Sequence, residues 1–153
     1  VLATATSRWR YWASHLTLAL GGAIAVLAVV GISTGGAAAL SVGDAALLGD
    51  ALVASAAYLP AVLVLIGIGA ALVGWFPHQA AAGWAALAAA FVLEMFGPLL
   101  SLPQWLMDLS PFQQVPQLPA DPFEALPIAV LTAIGVALLA AGALRYRVRD
   151  IPA

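Results

Sequence analysis

Apolar residues run almost unbroken through four stretches of the chain: about His15 to Ile32, Ala51 to Phe76, Gln79 to Leu100 and Ala125 to Tyr146. Each is about long enough for a helix to cross a hydrocarbon core, which takes roughly 20 residues. None alternates apolar with polar residues as barrel strands do, and backbone groups in lipid must find partners within their own segment. The pattern therefore predicts an all-α membrane protein with four transmembrane helices. Polar and turn-forming residues collect between the runs, at Ser33 to Asp50, at the tight turn Phe76-Pro77-His78, and at Ser101 to Glu124. Pro60 falls inside the second run and predicts a kink, because proline removes one backbone bond and clashes with the preceding turn. Small residues at Gly67, Gly69, Ala70, Ala71 and Gly74, and at Ala133, Ala137 and Ala141, offer faces for close helix approach. An alanine-rich composition alone would also scatter them.

The interval before the last run is unusual. From Gly97 it reads GPLLSLPQWLMDLSPFQQVPQLPADPF, with six prolines, two carboxylates and no basic residue. Ser101 and Gln104 have capping-box spacing around Pro103. Leu102, Trp105, Leu106 and Leu109 then share one face of a short helix, which predicts an amphipathic helix lying in the membrane interface. Prolines from Phe112 to Pro119 predict extended or polyproline II backbone. Asp121-Pro122-Phe123-Glu124 carries N-cap chemistry for the last helix. Residues 101–122 are thus expected to form an ordered external cap, since a flexible linker would use Gly and Ser.

Composition changes the picture by naming the solvent. Of 153 residues, 64% are hydrophobic and 8% charged, and the mean hydropathy is +1.06. Such a chain cannot cover a watery surface with its own polar groups, which excludes an ordinary soluble domain. Charge sets orientation. Arg8 and Arg10 precede the first run, Arg145, Arg147 and Arg149 follow the last, and these are all five basic residues. The positive-inside rule puts both clusters, and so both termini, in the cytoplasm. The loops holding Asp44, Asp50, Asp108, Asp121 and Glu124 then lie outside. Trp9, Trp12, Trp75 and Trp84 fall near the cytoplasmic borders and Trp105 near the outer one, as in an aromatic belt. The chain begins with Val, in what reads as helix, and is expected to be a piece of something longer.

Candidate chemistry is sparse. There is no GxxxxGK[ST], HExxH or GxSxG string and no cysteine, so the chain carries no signature of ATP binding or hydrolysis and no thiolate site. His15 and His78 stand alone near membrane borders. Glu94 is the ionisable residue inside a span, about six residues from its outer end. An intramembrane carboxylate suggests function; a protonated or snorkelling Glu facing the cap is the competing reading. No catalytic, metal or cofactor site is expected.

VLATATSRWRYWASHL at the start, FGPLL followed by LPQWLMDLSPFQQVPQLP, and the terminal RYRVRDI resemble the C-terminal part of ABC-2-type permeases, in particular the bacterial polyketide-antibiotic (tetronasin-type) exporter permeases. The resemblance implies a longer protein of two fused six-helix halves, of which residues 1–153 would be the last four helices. It implies a separate ATP-binding cassette ATPase subunit as partner, contacted through Thr4, Thr6, Ser7 and Arg8. It implies an outer gate in the cap, so that Trp105 and Phe112 become candidates for the substrate path or gate, beside Glu94, which its place inside a span already makes one. The function implied is export of hydrophobic compounds such as antibiotics, with no enzymatic step on this chain. Two other readings stand beside it: a stand-alone small multi-pass protein with a structural or assembly role, and an intramembrane enzyme built on Glu94, for which no second catalytic group is in place.

Overall fold

The computed structural model describes residues 8–75 and 81–148. They form α1 (Arg8–Val42), α2 (Ala46–Ala57), α3 (Leu59–Trp75), α4 (Ala81–Phe96), α5 (Gln104–Met107), a 3-10 turn at Pro111–Gln114, and α6 (Ala125–Val148). No strand occurs among the described residues. Three helical runs are long and apolar enough to cross a membrane, Trp12–Val42, Ala46–Trp75 and Ala125–Arg145, whereas Ala82–Phe96 is shorter.

The centre of the fold is the α3–α6 pair. On α3 the inward positions are Pro60, Val64, Gly67, Ala71 and Gly74, and on α6 they are Leu131, Gly135, Leu138 and Gly142. Both alternate steps of three and four, the spacing of a coiled-coil seam. Glycines let the backbones meet. A methyl on Gly67 would fall 2.8 Å from Leu138 Cβ, and one on Gly142 would fall 2.6 Å from the Ala70 carbonyl oxygen. Leu63 faces Gly135, Gly67 faces Leu138 and Ala70 faces Gly142, so the two helices run parallel. The expected row of Ala133, Ala137 and Ala141 is not the seam; Ala133 and Ala137 point outward.

The predicted loop Ser33–Asp50 is mostly helix. α1 continues for ten residues beyond Ile32, and only Gly43 to Ala45 break the chain before α2. The polar residues that suggested a loop satisfy themselves within the helix: Thr34 Oγ1 donates to the Val30 carbonyl at 2.7 Å and Ser41 Oγ to the Ala38 carbonyl at 2.9 Å. Gly31 and Gly35, four apart, seat α1 against Leu52 and Leu48 of α2, making an antiparallel hairpin. Gly43 turns the chain at a φ of +79°, a conformation open to glycine. The proline break in the second run falls at Tyr58, two residues before Pro60. Pro60 has no N–H to donate to the Ala56 carbonyl, and α2 ends at Ala57.

α4 has 16 residues and so spans about 24 Å as regular helix. The predicted run to Leu100 continues as turns closed by Ser101, whose φ is +50°. Leu102 N–H donates to the Gly97 carbonyl at 3.1 Å and Ser101 N–H to the Pro98 carbonyl at 3.3 Å, the two-bond closure of a helix C-terminus. Ser101 therefore ends α4 rather than capping α5, whose N-cap is Pro103 with no side-chain bond.

Candidate functional site

Residues 97–124 fold over one end of the α3–α6 pair, and the way they are seated defines the site. Phe112, Val115 and Leu118 enter a cluster with Ala57, Tyr58, Ala61 and Leu131. Val115 keeps 4% of its surface exposed. The Tyr58 and Phe112 rings lie tilted at 42° with centroids 6.3 Å apart, a favourable aromatic pairing. The break in the second run thus has a use: it presents Tyr58 to the cap.

Local chemistry shapes the cap. Prolines end its elements, but the expected extended strap from Phe112 to Pro119 is instead a 3-10 turn at Pro111–Gln114 followed by extended Val115 and a turn with a cis Leu118–Pro119 bond. Asp121 does not cap α6. Its carboxylate accepts from Gln117 N–H at 3.2 Å, while Asp121 N–H donates to the Gln117 carbonyl at 3.0 Å, so the residue closes its own loop. Gln104 Nε2 donates to Asp108 Oδ1 at 2.9 Å and Gln114 Nε2 to the Asp108 carbonyl at 3.3 Å. Ser110 is 1% exposed, and its hydroxyl has no partner among the described residues.

Of the three cap-side candidates, Glu94 and Phe112 are linked only through the chain neighbour of Phe112: Glu94 Oε2 accepts from Gln113 Nε2 at 3.0 Å. Trp105 stands apart, 68% exposed, as does Leu109 at 67%. The helix expected over Leu102 to Leu109 is shorter than its stripe: α5 has only four residues, and the residue it buries is Met107. Thr4, Thr6 and Ser7 lie outside the described residues, as does the Pro77-His78 turn, and Arg8 opens α1. Among the described residues no group of three or more His, Asp or Glu side chains could hold a metal ion. Tyr58, Val115, Gly31 and Gly135 were missed by the sequence reading; the aromatic flanking a proline in Tyr58-Leu59-Pro60 was the available signal for the first.

The opposite end is basic and aromatic. Arg145 Cζ sits 5.6 Å from the Trp75 ring centroid, a cation–π pair. Trp12 and His15 of α1 line a cavity with Val73 of α3. The α1 N-terminus and the α3 and α6 C-termini therefore share one end, and the carboxylates Asp50, Asp108 and Asp121 lie toward the other.

Long apolar helices, a glycine seam and a folded cap define a multi-pass helical membrane protein. Residues 1–147 match the family described as "Multidrug efflux system permease Rv1217c, C-terminal domain", and the chain belongs to that family. It is 36% identical over 152 residues to the "Multidrug efflux system permease protein Rv1217c" of Mycobacterium tuberculosis (strain ATCC 25618 / H37Rv), covering 99% of this chain. The chain spans 28% of the length of that relative.

Proposed function

We propose that the chain is the C-terminal portion of an ABC-2-type permease of the polyketide-antibiotic (tetronasin-type) exporter kind, moving hydrophobic compounds outward across a bacterial inner membrane. ATP hydrolysis takes place on a separate cassette subunit, contacted near Thr4 to Arg8, and this chain performs no chemistry. It crosses the membrane four times, with α4 and its closing turns as the third crossing, both termini cytoplasmic and the cap outside. Substrate binds one arrangement of the helices better than the other, and the partner's nucleotide state biases the same pair.

The observation that carries this reading is the family match over residues 1–147. The separation of arginines from carboxylates supports the orientation. The test is topology combined with transport. Cysteines placed singly at Ser7 and Gln114 are expected to react with an impermeant thiol reagent from opposite faces of intact cells. Labelling of both from outside removes the four-crossing arrangement. Cells lacking the full-length permease are expected to accumulate hydrophobic drugs, and equal accumulation with and without it removes the exporter reading.

A further inference from the structure

Three cavities lie end to end along one stripe of α1. The first, about 420 Å³, is at the arginine end between Trp12 and Val73. The second, about 160 Å³, lies between Ala23 and Leu63. The third, about 380 Å³, lies under the cap and is bounded by Leu27, Val30, Asp50, Tyr58 and Leu118. The α1 residues involved recur every three or four positions, so they share a face. α1 packs closely on α2 and meets α3 and α6 far less.

The third cavity differs from the other two in carrying a charge. Its walls are apolar, its volume suits a small ligand, and Asp50 is its ionisable group. Asp50 is exposed, and its carboxylate makes no hydrogen bond or ion pair among the described residues. Thr34, on the same wall, donates its hydroxyl to the Val30 carbonyl. Tyr58 adds an aromatic ring, held at its other contact by Phe112. No Arg or Lys lines any of the three cavities. A phosphate or carboxylate headgroup would meet a like charge here, whereas a cation meets a carboxylate.

We propose that this third cavity binds a lipophilic cation, its apolar body against Leu27, Val30 and Leu118 and its positive charge at Asp50. The proposal rests on the exporter reading and names a substrate class for it. Asp50 as a purely structural residue, favouring the N-terminal half of α2, is the competing account, and the two differ in what Asp50→Asn changes.

The probe is tetraphenylphosphonium, with triphenylphosphine oxide as its neutral counterpart, titrated into full-length permease in lipid nanodiscs. Wild type is expected to bind the cation. Asp50→Asn is expected to weaken cation binding up to about fivefold, the scale of one exposed charge pair, and to leave the neutral analogue and the melting temperature unchanged. Ala54→Phe, which fills the cavity, is expected to weaken both ligands. Absence of cation binding by wild type, equal cation affinity in Asp50→Asn, or equal loss of both ligands in that variant overturns the proposal. Export is measured separately in vesicles containing the partner ATPase: a permease that binds the cation and exports nothing removes the exporter reading, while export with unchanged cation affinity in Asp50→Asn removes only this site.

Discussion

Glycines in this protein differ sharply in what a single methyl would meet. At Gly67, Gly74, Gly135 and Gly142 an added Cβ would lie 2.6 to 2.8 Å from atoms across the α3–α6 seam, and at Gly74 and Gly142 the nearest atom is a backbone carbonyl oxygen. A carbonyl cannot rotate away as a side-chain tip can. At Gly36 nothing lies within 4 Å. Gly142→Ala is therefore expected to destabilise the domain by about 1–3 kcal/mol, the usual cost of overpacking. Gly36→Ala is expected to be neutral or to stabilise by up to about 1 kcal/mol, because alanine is the better helix former. Thermal unfolding of the two variants in the same detergent checks the contrast. Equal melting temperatures would show that the seam opens easily and is not the structural centre.

The cap is where sequence and structure part company at the scale of elements. Its position was legible, because a proline-rich interval between two apolar runs has few other uses. Its internal geometry was not. The i, i+3, i+4, i+7 spacing from Leu102 to Leu109 suggested a helical stripe, but only Gln104 to Met107 are helical, about one turn, too short for such a stripe to act. Ser101 and Asp121 look like N-caps in the sequence, yet each closes a preceding backbone turn, since the same side chains and conformations serve both tasks. Conversely, Ser33, Thr34 and Ser41 looked like loop residues because a hydroxyl's return bond to its own helix is invisible in composition. These corrections move the energetic weight of the cap from Trp105 to Phe112. Phe112→Ala, which removes a half-buried ring from the Tyr58 cluster, is expected to cost on the order of 2 kcal/mol and to speed proteolysis of the 101–122 segment. Trp105→Ala is expected to leave proteolysis close to wild type, because that ring packs on little within the chain. Faster cleavage in Trp105→Ala than in Phe112→Ala would reverse this assignment.

At the scale of the whole molecule, the parallel α3–α6 pair is a rod joining two chemically different ends. Its cap end is held by Tyr58, Phe112 and Val115 and edged by carboxylates; its other end carries Arg145 on Trp75, near the start of α1. α1 is attached mainly to α2 and only loosely to the rod, so the hairpin α1–α2 can shift against α3–α6 while breaking few contacts. On the proposed exporter reading that looseness is useful, because a force applied at the α1 N-terminus would alter the cleft beside α3 without unpacking the glycine seam. On the same proposed reading, Arg8, at the first residue of α1, is where a cytoplasmic ATPase would apply such a force. Arg8→Glu in the full-length permease is expected to reduce substrate-stimulated ATP hydrolysis severalfold, while membrane insertion and the unstimulated rate stay unchanged. An arginine that only anchors α1 at the interface would give a different result, since an exposed ion pair is worth about 0–1 kcal/mol and stimulation would scarcely move. Stimulation that persists in Arg8→Glu would place the coupling contact elsewhere on the permease and leave the α1 N-terminus as a membrane anchor.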